Sequence, residues 1–216
     1  MKLIKVAAGA VNQTPLAWDA NKATILSAIE QARDQAASIL CLPELCITGY
    51  GCEDAFHSRG MQRQALELLE EIVPHTSGLV VSLGLPAWHG GGLFNTACLV
   101  ADGQLLGFTA KQNLASGGLH YEPRWFKPWP VGVVSSIEFA GKDIPLGDLV
   151  FELDGIRIGF EICEDAWVAD RTGTRLAQRG ADIILHPSAS HFAFGKQDVR
   201  RRFILEGPRA RQVRER

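Results

Sequence analysis

Three residues suited to nucleophilic chemistry each follow a short apolar run: Glu44 after Ile39–Leu42, Lys111 after Gln104–Ala110, and Cys163 after Ile156–Ile162. Folds of the α/β class place their active sites at strand ends, so three buried strands would bring these side chains out near one sheet edge. A cysteine, a carboxylate and an amine in one pocket can cleave an acyl bond. The thiol attacks, the carboxylate takes its proton, and the ammonium stabilises the developing oxyanion. Singly, none carries such a claim. A cysteine after an apolar strand is ordinarily a small buried hydrophobe, a glutamate at a strand end a cap, and a lysine a solvated charge.

The elements that must position these groups alternate along the chain. Leu3–Ala8 reads as a buried strand. Trp18–Ala37 places Ile25, Leu26, Ile29, Ala32 and Ala36 on one helical face. Ser38–Leu42 reads as a central strand, 45–56 as a loop, and His57–Val73 as a helix stopped by Pro74. Gly78–Leu85 is a further strand, and His89-Gly90-Gly91-Gly92 a loop joining strands. Asp102-Gly103 and Asp154-Gly155 are two-residue hairpin signals, joining Leu93–Ala101 to Gln104–Ala110 and Val150–Leu153 to Ile156–Ile162. Residues 112–130 form an irregular loop. Asp165–Arg179 reads as a helix, Ala181–His186 as a buried strand, and Gln197–Glu206 as the start of one more helix. Helical units mixed with hairpins predict a layered α/β fold with a mixed sheet.

The residues around the three groups read Leu42-Pro43-Glu44-Leu45-Cys46-Ile47-Thr48-Gly49-Tyr50, Ala110-Lys111-Gln112-Asn113-Leu114 and Phe160-Glu161-Ile162-Cys163-Glu164-Asp165-Ala166-Trp167. In this order and at these intervals they resemble the nitrilase (carbon–nitrogen hydrolase) superfamily over about residues 3 to 207. The first and third segments, with Ser188-Ala189-Ser190, Gly195-Lys196 and Arg200, look most like the glutaminase domain of glutamine-dependent NAD synthetases. The resemblance implies an αββα sandwich that hydrolyses the side-chain amide of glutamine through a cysteine thioester, with no cofactor for that step. It makes Glu44 the general base, Cys163 the nucleophile, Lys111 the cation on the tetrahedral intermediate, and Glu122 a second glutamate that orients the triad. It also implies Tyr50, Glu164, Ser188 and Ser190 as substrate contacts, Glu164 for the α-ammonium and a serine for the other end. Two departures stand out. Gly117 and Gly118 occupy a loop where an aromatic is expected, which would loosen the cover of the pocket. After Gly207 the pattern breaks into an Arg-rich tail, 208–216, so the ending reads as truncated or frame-shifted and the sandwich as incomplete there. Other readings are an amidase acting on a different small amide, and an inactive fragment serving as an interaction module.

Composition sets the outer bounds. The 216 residues are 46% hydrophobic and carry a formal charge of −2, enough for one core and no overall attraction to nucleic acid or anionic membrane. Seven arginines against Glu206 and Glu215 in 200–216 set the end apart from the rest, which holds 15 basic and 22 acidic groups. Five cysteines at irregular spacing match neither a disulfide framework nor a zinc motif, and the six histidines form no ligand set. No metal and no membrane span are expected, and the compartment is read as cytoplasmic. The resemblance to the nitrilase superfamily further implies a homo-oligomer and a synthetase domain outside this sequence to receive the ammonia.

Overall fold

The computed structural model describes residues 4–212; Leu3 of the expected first strand and residues 213–216 of the Arg-rich tail lie outside them. The chain runs β1 (Val6–Ala8), α1 (Trp18–Asp34), β2 (Ile39–Cys41), α2 (Arg59–Ile72), β3 (Val80–His89), β4 (Gly92–Ala101), β5 (Gln104–Ala110), α3 (Glu122–Trp125), β6 (Val134–Phe139), β7 (Lys142–Gly147), β8 (Val150–Leu153), β9 (Ile156–Phe160), α4 (Thr172–Gln178), β10 (Ile183–Leu185) and α5 (Lys196–Gln212). Two mixed sheets result. The larger has seven strands in the order β1-β2-β3-β4-β5-β7-β6, and the smaller three in the order β10-β9-β8.

Burial explains the layering. β4 is buried from Gly92 to Val100, its apolar run interrupted by Asn95 and Thr96, as suits a strand covered on both faces. Its alternate residues point into two different cores. Cys98 and Val100 join Leu40, Val81 and Phe108 beneath Ile25 and Ile29 of α1 and Leu68, Leu69 and Ile72 of α2. Ala97 and Leu99 join Ile39 against Phe151, Ile158, Phe160 and Leu185 of the small sheet. On the small sheet's outer face α4 lies close to β9; a Cβ at Gly159 would come within 2.7 Å of Leu176. The order helix, sheet, sheet, helix is the expected αββα sandwich, and among the described residues no helix is long and apolar enough to cross a membrane.

Several sequence expectations need amendment, the first being the buried opening strand: β1 covers Val6–Ala8 at the sheet edge, with Val6 and Ala8 exposed. β3 extends to His89, past Leu85 and through Pro86; beyond Ser82 it has only β4 as a neighbour, so proline removes no ladder bond there. Residues 134–147, which show no strong hairpin dipeptide, form the β6–β7 hairpin around Ala140-Gly141. The helix expected over Asp165–Arg179 is only α4, preceded by a 3-10 turn at Cys163–Ala166. The Asp165 carboxylate holds the Ile162 amide at the start of that turn and reaches across to Gln112 and Asn113, which ties the segment down before a helix can run. Finally, α5 continues through Gly207-Pro208 to Gln212. Proline inside a helix ordinarily kinks or breaks it, since it loses a hydrogen bond and its ring crowds the carbonyl four residues back, yet the helical backbone runs through it here.

Candidate active site

The Glu44 side chain emerges where the chain leaves β2 and turns across β3. Leu45 adopts a positive φ of 51°, Ile47 N donates to Gly84 O at 3.0 Å, and Gly84 N donates to Cys46 Sγ at 3.3 Å. The turn rests on β3 itself: a Cβ at Gly84 would lie 2.3 Å from Leu45 N. Lys111 directly follows β5 and is fixed by its own backbone, N donating to Asn95 O and O accepting from Trp129 N, both at 2.9 Å. Cys163 comes from the small sheet, beyond β9. Its φ of 46° lies in the left-handed region, at a cost of roughly 1–2 kcal/mol, and its N–H donates to Pro187 O after β10 at 3.0 Å. Each group thus sits at a strand end, as its preceding apolar run requires, and the two sheets contribute different parts.

Lys111 Nζ donates to Glu44 Oε1 and Glu122 Oε1, at 2.7 Å each, and all three side chains are without solvent exposure. Asn95 Nδ2 spans the same pair, 2.8 Å from Glu44 Oε1 and 3.3 Å from Glu122 Oε1. The remaining carboxylate oxygens take backbone donors: Glu44 Oε2 from Ala189 N at 3.0 Å and Glu122 Oε2 from Ala115 N at 2.7 Å. Ser188 Oγ donates to Cys163 Sγ at 3.3 Å.

Burial and charge divide the protonation states. Burial opposes ionisation of Glu44, but Lys111, Asn95 and the Ala189 amide outweigh it and hold this carboxyl below its ordinary range. For Glu122 burial wins over Lys111, with the Glu44 charge adding to it, so its pKa lies above the ordinary value. Burial would discharge Lys111, yet the two carboxylates keep it an ammonium. The Cys163 thiol is pushed up to about 12, first by burial and then by Glu44; Lys111 and Ser188 act the other way. A resting thiol beside an ionised carboxylate and a fixed ammonium is poised to lose its proton only as it attacks.

The other expected contacts fall in several places. Tyr50 Oη donates to Glu122 Oε1 at 3.0 Å and lines an open cleft of about 600 Å³ with His120, Ala189 and His191. Glu164, beside the nucleophile in the 3-10 turn, is partly exposed, with burial raising its pKa against the pull of Lys111 and Lys196. Ser188 contacts the nucleophile. Ser190 instead lines a smaller cavity of about 170 Å³ with Trp167, His186 and Arg200, and its carbonyl accepts from Arg200 at 3.1 Å. Gly117 and Gly118 are exposed, but His120 two residues on is anchored to Tyr50.

Sequence reading missed Asn95, Asp165 and the amides of Ala115 and Ala189. Asn95 had a signal, a polar residue inside an otherwise apolar strand. Asp165 accepts from Gln112 N, Asn113 N and Asn113 Nδ2 through Oδ1 and from Ile162 N through Oδ2, fastening the Lys111 segment to the Cys163 turn. Among the described residues no group of three or more His, Cys, Asp or Glu side chains could hold a metal ion.

Comparison with known proteins follows this geometry. The family model described as carbon-nitrogen hydrolase matches residues 5–202. The glutamine-dependent NAD(+) synthetase of Saccharomyces cerevisiae is 31% identical over 214 residues, covering 94% of this chain and 30% of that protein. The Homo sapiens enzyme of the same name is 29% identical over 208 residues, covering 91% and 30%. In three dimensions the chain is similar to a glutamine-dependent NAD(+) synthetase from Cytophaga hutchinsonii, with a TM-score of 0.87 and 45% identity over 94% of this chain and 33% of the other. An amidase mutant from Nesterenkonia shares the fold, with a TM-score of 0.75 at 21% identity. The chain spans about a third of the length of the curated relatives it matches.

Proposed function

Because the chain belongs to the carbon-nitrogen hydrolase family, we propose that it hydrolyses the side-chain amide of L-glutamine through a thioester on Cys163. The observation that carries this reading is the buried Glu44–Lys111–Glu122 ion pair network next to a thiol at the end of β9. Glu44 takes the thiol proton as sulfur attacks the amide carbon and passes it to the departing nitrogen, which leaves as ammonia. Lys111 Nζ holds the negative charge of the tetrahedral intermediate in a dry site, where a fixed donor is worth most. Water then adds to the thioester with Glu44 again the base, and collapse returns the proton to sulfur. Glu122 and Asn95 keep Lys111 and Glu44 in register, and Ser188 orients the thiol. The cycle uses no cofactor.

Glutamine is favoured over other small amides by two considerations. The curated relatives are named as glutamine-dependent enzymes, and Glu164 lies next to the nucleophile, partly exposed, as a partner for an α-ammonium. Tyr50 and Ser190 complete the suggested substrate set. The ammonia would serve a synthetase component outside these 216 residues.

The test is ammonia release from L-glutamine by the parent and by Cys163→Ala, with circular dichroism on both. Release by the parent and none by a folded variant is expected. Preference for short amides without an α-amino group would redirect the reading to another amidase, and a folded but silent parent would overturn it.

A further inference from the structure

The buried network does not end at Glu122. Tyr50 Oη, which donates to Glu122 Oε1, is 3.1 Å from His120 Nδ1. The second nitrogen of His120, Nε2, is 2.9 Å from His191 Nδ1. Lys196 Nζ stands 3.4 and 3.5 Å from the two nitrogens of the His191 ring. The phenol and the first imidazole meet edge-on at 5.7 Å between centroids, and the two imidazoles are tilted at 5.0 Å. A continuous line of polar atoms thus joins a fully buried carboxylate to half-buried residues beside the open cleft. Phenol and imidazole can each donate and accept at once. The thioester cycle itself uses neither histidine.

That cycle leaves a proton behind. An amide and water give a carboxylate, neutral ammonia and one proton. Attack by water on the thioester, with the thiol reclaiming its proton from Glu44, forms the product as a carboxylic acid. Beside Glu44 and Glu122 this acid would give its proton to a carboxylate, and Glu122, whose burial favours the protonated form, is the natural holder.

Resting on the amidase reading above, we propose that Tyr50, His120 and His191 form a path that carries this proton from Glu122 to solvent in each turnover. Once Glu122 is protonated, the Tyr50 hydroxyl turns its O–H from Glu122 Oε1 to His120 Nδ1; Glu122 then gives its proton to Tyr50 Oη while Tyr50 gives its own to His120 Nδ1. His120 passes the proton of Nε2 to His191 Nδ1, and His191 releases that of Nε2 to water. One proton enters at Glu122 and one leaves at His191; solvent exchange and ring reorientation restore the starting tautomers. The surroundings suit a conduit rather than a trap. Tyr50 and His191 face His120, and Lys196, Glu44 and Lys111 act on it through space; burial, His191, Lys196 and Lys111 outweigh Glu44 and hold its pKa below the ordinary value. Burial together with Glu122 and Glu44 disfavours a tyrosinate at Tyr50, so the phenol must gain and lose its protons in concert.

The experiment compares His120→Asn, which keeps a hydrogen-bonding group near the Nδ1 position but relays nothing, with His120→Phe and His191→Asn. Ammonia release from L-glutamine is followed with and without added imidazole. Each variant is expected to lose roughly 100-fold in kcat, the lower end of acid–base contributions, with KM little changed and imidazole restoring the rate. A His120→Asn protein with the parent kcat, or a slow one that imidazole does not speed, overturns the path. Should the parent release no ammonia, the amidase reading fails separately. The path is then judged by histidine nitrogen NMR in folded Cys163→Ala protein. Linked titration of His120 and His191 that shifts in the added Tyr50→Phe change supports it, and independent titrations indifferent to Tyr50 overturn it.

Discussion

Lys111 supplies one positive charge between two carboxyl groups, all three side chains without solvent exposure, so its removal should cost more than catalysis. Breaking a buried pair from one side typically costs 3–5 kcal/mol, because an uncompensated charge stays behind. Lys111→Met should therefore lower the unfolding free energy measured in urea by an amount in that range, and the double variant with Glu122→Gln should recover part of the loss while remaining inactive. A single variant as stable as the parent would contradict the ion-pair geometry. The thiol supplies a second expectation. Glu44 is one of the influences that hold Cys163 near 12, so Glu44→Gln should lower the thiol pKa and raise the thiolate fraction at every pH below it. Alkylation by iodoacetamide at pH 8 should be faster in Glu44→Gln than in the parent, although ammonia release is lost. In the parent the rate should climb about tenfold per pH unit between 7 and 10, the behaviour of a group still far below its pKa. Slower alkylation of the glutamine variant would sink the assignment.

The turn bearing Glu44 depends on β3. Gly84→Ala would drive a methyl into the backbone of Leu45, which cannot yield as a flexible side chain would. A loss of about 1–3 kcal/mol and at least a tenfold fall in ammonia release are expected, since a small misplacement of a catalytic group is expensive. Gly117→Ala, with nothing within 4 Å of the added Cβ, should leave the unfolding free energy within about 0.5 kcal/mol of the parent's. What sequence reading recovers here follows from how local each signal is. Glu44, Lys111 and Cys163 stand directly after apolar runs, and the two Asp-Gly hairpins were legible because Asp102 and Asp154 at positive φ followed by glycine leave few alternatives. The β6–β7 hairpin turns on Ala140-Gly141 and carries Pro145, so both its turn and its second strand lack the usual marks. Asp165 looked helical because its side chain's partners, Gln112 and Asn113, lie more than fifty residues away in sequence. The His120–His191 contact bridges 71 positions and was equally invisible.

Taken whole, the molecule joins two sheets that each keep a bare margin, at β1 and β6 of the large sheet, where Val6 and Val134 are exposed, and at β10 of the small one. Among the described residues no strand pairs with the outer side of β10, where Ile183 and Ile184 are half-buried. Such an edge invites pairing with another chain. The protein should associate as its concentration rises, and Ile184→Lys should shift it toward monomer in sedimentation or light scattering; unchanged association would place the contact elsewhere.

The division of the site between the sheets also governs when it can exist. Glu44 Oε2 is held by the amide of Ala189, 145 residues further on. The large sheet uses strands between Val6 and Gly147 and has Glu44, Asn95, Lys111 and Glu122 within that span. A polypeptide emerging from the ribosome can therefore assemble the carboxylates and their ammonium first, as a charged but inert cradle. The sulfur arrives later, and its seat is closed only when the segment after β10 has been translated and docked. On the proposed reading the half-made site cleaves no amide, and the onset of ammonia release during synthesis would mark the moment the second sheet locks onto the first.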